Sequence, residues 1–247
     1  MLIALTNGKS GRVKETIQSG SSWRDLFRTS EDLLTASVFG RLSYLDGPVL
    51  WSIICSACGR ALPPFSTVEL FNIEFWPTWS EIDETGTVEP DVLLQFRAGD
   101  PSIRIDLIVE AKLGAGGGQY AYQWQREWNA HHKLSSASGE FVKPYLFAVG
   151  GLGHHAAGTA ARIQREVKEN GPQIEVISSS WANFLDAVLE QLERPCNPPQ
   201  RRILTDIVEA FALAGYRRIH PLEGIVSNRS FSGDSLNKLS RYDFRIR

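Results

Sequence analysis

The feature that most constrains this chain is the ten-residue run Ile103-Arg104-Ile105-Asp106-Leu107-Ile108-Val109-Glu110-Ala111-Lys112. Side chains alternate across a strand. Ile103, Ile105, Leu107, Val109 and Ala111 therefore form one wholly apolar face, and Arg104, Asp106, Ile108, Glu110 and Lys112 form the other. A strand of this kind belongs inside a sheet with its apolar face buried. Glu110 and Lys112 then point the same way at the end of an otherwise core-like strand. The preceding segment, Val88–Arg97, alternates too, with Val92, Leu94 and Phe96 on one face and Asp91, Leu93, Gln95 and Arg97 on the other. Gly99-Asp100-Pro101 supplies a turn between the two. If they pair as neighbours, Asp91 near the start of one strand lies beside Glu110 near the end of the next.

The remaining elements follow from period and punctuation. Ser30, followed by Glu31 and Asp32, opens a helix that runs to about Leu45, where Asp46-Gly47-Pro48 stops it. An apolar stretch covers Val49–Ala61, and a strand is expected over Thr67–Trp76. After the glycine-rich 114–118 come a helix at Gln119–Leu134, a strand at Pro144–Gly150, a helix at His155–Glu169 and a strand at Ile174–Ser178. Helices at Trp181–Glu193 and Arg201–Tyr216 complete the chain. Strands that first run consecutively and then alternate with helices predict an α/β domain with a mixed central sheet flanked by helices. Its 247 residues, 43% hydrophobic and 22% charged, suffice for one large core. The expected organisation is an irregular extension over 1–29, a core over 30–197 and, beyond Pro198-Pro199, a helical and basic appendage over 198–247.

The formal charge of −2 excludes a protein that coats nucleic acid by charge alone. The distribution is uneven: residues 1–30 carry five Lys/Arg against two Asp/Glu, residues 217–247 seven against three, and the middle 14 against 23. This fits a metal-binding centre between anion-binding arms, and equally a chance scatter of solvated charge. Three cysteines, Cys55, Cys58 and Cys196, are too few for a disulfide framework. The start, MLIALTNGKS, lacks the long apolar segment of a signal peptide, and no run approaches the ~18 apolar residues of a membrane span. A cytoplasmic chain with no membrane partner is expected.

Two carboxylates meeting at one strand end repel unless a proton or a cation lies between them. A hard divalent ion resolves the conflict, and Lys112 adds a second positive charge aimed at any anion the ion attracts. The alternative is an amphipathic hairpin with a surface Glu–Lys pair. On a helical wheel, Leu34, Val38, Leu42 and Leu45 fall within about 80° and form a core stripe. Glu31 shares that arc, either snorkelling to water or facing the same centre.

Pro90-Asp91 followed, after a spacer, by Glu110-Ala111-Lys112 resembles the motif of the PD-(D/E)XK nuclease superfamily. The resemblance covers roughly residues 31–180. It implies a restriction-endonuclease-like fold in which Asp91 and Glu110 bind Mg²⁺, with Mn²⁺ as a substitute, and the Ala111 carbonyl adds a ligand. Lys112 would position or activate the attacking water, and Glu31 would act directly or through water. Gln123-Trp124-Gln125-Arg126-Glu127-Trp128 is similar to the glutamine motif that lines such sites, with Gln123 the best match and Gln119 the competitor. The implied activity is metal-dependent hydrolysis of phosphodiester bonds in nucleic acid, DNA more than RNA, with partner proteins or a homodimer left open. The competing expectation is a catalytically inactive module of the same fold that binds nucleic acid or a protein.

Other signals carry less. No Gly-Lys-Ser/Thr follows Gly114–Gly118, so no phosphate-cradling loop is expected. Cys55-Ser-Ala-Cys58 has zinc spacing without a second ligand pair and reads as two buried thiols. His131-His132 and His154-His155 read as surface or phosphate-contact residues. Glu74, Glu89 and Asp106 are rival carboxylates, Glu89 being the substitute for Asp91 if the register differs. In the wheel over 119–134, Tyr120, Ala121, Trp124 and Trp128 form the packed side, and Gln119, Gln123, Arg126, Glu127 and Ala130 the polar one.

Overall fold

The computed structural model describes residues 3, 27, 29–81, 86–114, 118–153 and 155–218. The chain divides into two compact units, Met1–Arg217 and Arg218–Arg247. The extension expected over 1–29, the centre of the glycine-rich loop, His154 and the basic tail from residue 219 lie outside the described residues, save Ile3, Phe27 and Thr29.

Within the first unit a mixed five-stranded sheet lies between two helical layers. The elements in order are α1 (Glu31–Leu42), α2 (Gly47–Ala57), β1 (Val68–Phe75), β2 (Trp79–Ser80), β3 (Thr87–Val88), β4 (Val92–Ala98), β5 (Ile103–Ala111) and α3 (Ala121–Ser138). They continue with β6 (Val142–Val149), α4 (Ala156–Asn170), β7 (Val176–Ser179), α5 (Trp181–Glu193) and α6 (Pro198–Leu213). The sheet order is β1-β4-β5-β6-β7. Pairing is antiparallel for β1/β4 and β4/β5 and parallel for β5/β6 and β6/β7. The parallel half follows from its connections, since α3 and α4 each carry the chain back across the sheet. Among the described residues, no helix is long and apolar enough to cross a membrane.

Alternation in β5 sorts the core into two layers. Ile105, Leu107, Val109 and Ala111 pack with Leu34, Val38, Trp51, Phe96, Phe147, Trp181, Phe184 and Phe211 on one side of the sheet. Ile108 packs on the other with Trp79, Val88, Leu93, Trp124, Trp128 and Leu146. The helix starts obey local rules: Ser30 accepts from the Leu33 amide and Ser180 from the Asn183 amide.

Three expectations need correction. Val88 belongs to the small β2/β3 hairpin, and β4 begins only at Val92, because Pro90 interrupts the run. Pro198 and Pro199 open a helix capped by Asn197, where missing amides cost nothing, instead of separating a domain. Leu204, Ile207 and Phe211 of that helix are part of the main core, so 198–213 is no appendage.

The third concerns His131, which is buried. Its Nε2 lies 2.9 Å from Asp106 Oδ2, an oxygen that also accepts from Gln95 Nε2 and Arg104 Nη2 at 2.9 Å each. Arg104 Nε donates to Oδ1 at 2.9 Å. Burial works against the charged Asp106, but the hydrogen bonds from His131, Arg104 and Gln95 outweigh it and hold its pKa below the usual carboxylate value. A depressed carboxyl stabilises the fold above its unfolded pKa of about 3.9, and that contribution is lost as the pH falls further. Asp106→Asn is therefore expected to lower stability by roughly 3 kcal/mol at neutral pH in urea melts, with the gap closing below about pH 4. Equal stability at neutral pH would contradict this account.

Candidate active site

The carboxyl end of β5, where the chain leaves the sheet for α3, gathers the ionisable residues. Asp91 just precedes β4, and its amide donates to the Val109 carbonyl at 3.1 Å. This sets Asp91 opposite Glu110, and Asp91 Oδ2 accepts from the Ala111 amide at 2.7 Å. Asp91 is 8% exposed and Glu110 1%. Burial, then the facing Glu110 carboxyl, raise the Asp91 pKa well above its ordinary value, against the pull of Lys112.

Lys112 projects to the same side as Glu110 and forms an ion pair with Glu110 Oε1. Its Nζ also donates to Glu31 Oε1 at 3.2 Å and to the Ala111 carbonyl at 3.1 Å. Glu31, the first residue of α1, accepts from the Leu113 amide through Oε2 at 2.7 Å and so fixes the chain just past the strand. Burial works against the Lys112 ammonium, but the Glu110 and Asp91 carboxylates outweigh it and push its pKa up. Lys112 thus stands as a charged donor, and no lowering of its proton affinity prepares it to deprotonate water.

The two glutamines separate. Gln119 precedes α3 instead of lying on it, and its amide donates to the Glu110 carbonyl at 3.0 Å and the Gly150 carbonyl at 3.3 Å while its oxygen accepts from Trp124 Nε1 at 2.8 Å. All three bonds are structural. Gln123 lies on α3 and donates to Glu127 Oε1 at 3.0 Å.

Glu127 is the residue that the sequence reading put on the wrong face. It is 1% exposed, and its carboxyl comes within hydrogen-bond reach of Glu110. Burial first, and Glu110 second, raise its pKa well above the ordinary value. Glu110 is raised as well, chiefly by burial, against the pull of Lys112. Glu110 Oε1 is ion-paired with Lys112, whereas Glu110 Oε2 and Glu127 Oε2 are buried without a hydrogen bond of good geometry. Two carboxylates face each other as acceptors, and only a proton or a cation can satisfy both. The available signal was the wheel itself: Glu127 stands about 60° from Trp124, inside an arc that also buries His131. Tyr120, expected on the packed side, is exposed, and Ala130, expected on the polar side, is buried. Glu74 and Glu89 are exposed, and Asp106 is committed to the His131 network.

The backbone under Lys112 is tightly fixed. Its carbonyl accepts from Trp181 Nε1 at 3.0 Å and its amide donates to the Val149 carbonyl at 2.8 Å. Gly150, at φ +69°, lies so close that an added Cβ would stand 2.1 Å from the Lys112 carbonyl oxygen and 2.9 Å from the Trp181 ring. Gly150→Ala is expected to cost at least about 2 kcal/mol, combining left-handed backbone strain with that clash, and a thermal melt checks it. An unchanged melting temperature would mean that this backbone is not held as described.

Among the described residues, no three His, Cys, Asp or Glu side chains converge on one point as ligands in their present rotamers. The donor set nevertheless suits a hard divalent ion: the buried carboxyls of Glu110 and Glu127, the Asp91 carboxylate and the Ala111 carbonyl are all oxygen ligands. The chain is similar to the uncharacterized protein PM0110 of Pasteurella multocida (strain Pm70), at 29% identity over 244 residues covering 92% of this chain and 86% of that protein. No protein-family model matches the chain, and no solved structure matches it.

Proposed function

We propose that this chain is a metal-dependent nuclease of restriction-endonuclease-like fold, hydrolysing phosphodiester bonds of nucleic acid, DNA more readily than RNA. The observation that carries the reading is the buried Glu110–Glu127 carboxyl pair beside Asp91, three buried carboxyls gathered around the Lys112 ammonium. A fold does not crowd buried carboxyls together for stability, because burial and mutual repulsion disfavour their charged forms. The cluster's retention next to an ammonium points to charge chemistry on an anionic substrate.

Asp91, Glu110, Glu127 and the Ala111 carbonyl would hold Mg²⁺ or Mn²⁺. When bound, the ion supplies charge stabilisation at the phosphoryl centre and makes water a better nucleophile. The chain's own residues do the rest. Lys112 Nζ donates to a non-bridging phosphate oxygen as negative charge builds there, and Glu31 and the Ala111 carbonyl hold that ammonium in place. Gln123 orients the Glu127 carboxyl through its amide. Glu127, within hydrogen-bond reach of Glu110, would complete the oxygen ligands of the ion.

The test is cleavage of supercoiled plasmid and of linear DNA by the full chain with Mg²⁺ or Mn²⁺ and with EDTA. Metal-dependent nicking or degradation is expected. No cleavage with either ion, combined with retained binding of DNA, would favour the inactive binding module instead.

A further inference from the structure

We infer that the cleft opening onto this carboxylate cluster holds an unpaired nucleobase, so that the substrate presents a single-stranded or splayed segment at the scissile phosphate. The inference rests on the nuclease reading and adds the substrate's form to it. The cleft measures about 490 Å³, large enough for one nucleotide, and Glu127 and Gln123 form part of its lining. A ligand in the cleft therefore reaches the cluster on its Glu127 side.

The cleft also carries two exposed tyrosines. Tyr120 is 63% exposed and Tyr122 69%, although both belong to the segment that starts α3. Large rings left this open beside a charged cluster are available to a ligand. The Arg126 guanidinium lies 5.3 Å from the Tyr122 ring centroid, and it is anchored by Glu81 and by the Thr87 carbonyl at 3.0 Å. A guanidinium already committed to a carboxylate serves poorly as a lone phosphate clamp. It lies over one face of the Tyr122 ring and braces it, leaving the opposite face for a base.

Stacking of bases on such rings needs no particular sequence, because every base has a π-face. Inside a duplex those faces are covered by neighbouring pairs, so only a base released from the stack can occupy the cleft. The polar lining beside the rings, Thr87, Glu89 and Gln123, offers both donors and acceptors to a base edge. A phosphate alone would leave the tyrosines unused. A fully paired duplex would reach the cluster only with its backbone.

The full chain in EDTA is titrated with a labelled oligodeoxythymidine and with a blunt duplex of equal length, and binding is read by fluorescence anisotropy. The single strand is expected to bind more tightly than the duplex. Tyr122→Ala should weaken single-strand binding roughly tenfold, within the range that one stacked base contributes. Tyr122→Phe should restore it, since the ring and not the hydroxyl carries the contact, and duplex binding should hardly change. Equal affinity for the two forms would overturn the inference, as would single-strand binding indifferent to Tyr120→Ala and Tyr122→Ala. The two readings fail separately. Tyrosine-dependent single-strand binding without cleavage in Mg²⁺ or Mn²⁺ would sink the nuclease and keep the base site. Metal-dependent cleavage of duplex, indifferent to both tyrosines, would do the reverse.

Discussion

Replacing Asp91 by Asn is expected to reduce metal-dependent cleavage by roughly 10²–10³-fold without unfolding the protein. The amide keeps a carbonyl oxygen that can accept from the Ala111 amide, so the hydrogen bond closing the end of β5 survives. What disappears is a buried negative charge next to Glu110 and Lys112. Asp91→Asn should therefore melt at the wild-type temperature in EDTA, or slightly above it, because its carboxyl is held in the fold at a cost. A plasmid-nicking time course in Mg²⁺, run beside a thermal melt of the same preparation, measures both quantities. Nicking at the wild-type rate would assign the cleavage to a contaminant or to other residues. A large loss of melting temperature would make Asp91 an architectural residue first.

Glu127→Gln should have the opposite signs on stability and activity. A glutamine at 127 can still accept from Gln123 and can donate to Glu110, giving that carboxyl a partner besides Lys112. Without divalent ions, the variant should be more stable than wild type by roughly 1–3 kcal/mol at neutral pH. The pH dependence follows from the direction of the shift. A carboxyl raised in the folded state costs nothing below its unfolded pKa of about 4.3, and its penalty grows as the pH climbs from there toward the folded value. The advantage of Glu127→Gln should accordingly vanish near pH 4 and widen on the way to neutrality. Mg²⁺ or Mn²⁺ at about a hundred times its dissociation constant should raise wild-type stability by about 2.7 kcal/mol, roughly 5–10 °C for a chain of this size, and raise Glu127→Gln much less. A variant less stable than wild type at neutral pH would show that Glu127 is already satisfied in the fold.

The contrast between Asp91 and Glu127 also shows what the sequence could reveal. Asp91, Glu110 and Lys112 were legible because strands alternate strictly and β4 and β5 are joined by a short turn, so their register follows from local chemistry. Glu31 was legible because a carboxylate sat inside an apolar helical stripe. Glu127 was not, because the wheel grouped it with the polar side next to Gln123, although it also stands near Trp124 and under the β2/β3 hairpin that covers α3. Residues Trp79–Ser80 and Thr87–Val88 are too short to announce themselves as strands, so that cover was invisible. His131 went the same way, since its partner Asp106 lies 25 positions upstream. The role of Gln119 required knowing that α3 starts at Ala121, a boundary that the glutamine's own polarity obscured. The two prolines at 198 and 199 were read as a break when Asn197 had already supplied a cap.

The bond from Trp181 Nε1 to the Lys112 carbonyl joins the end of β5 to the helical layer that also carries Glu31. That indole is packed against Phe39, Phe184 and Phe211, so its position is dictated by uncharged aromatic neighbours. Damage in that aromatic cluster would remove one of the bonds that fix the backbone under the ammonium, mimicking a chemical lesion. An inactive variant with every charged group intact should therefore be traced first to the tryptophan.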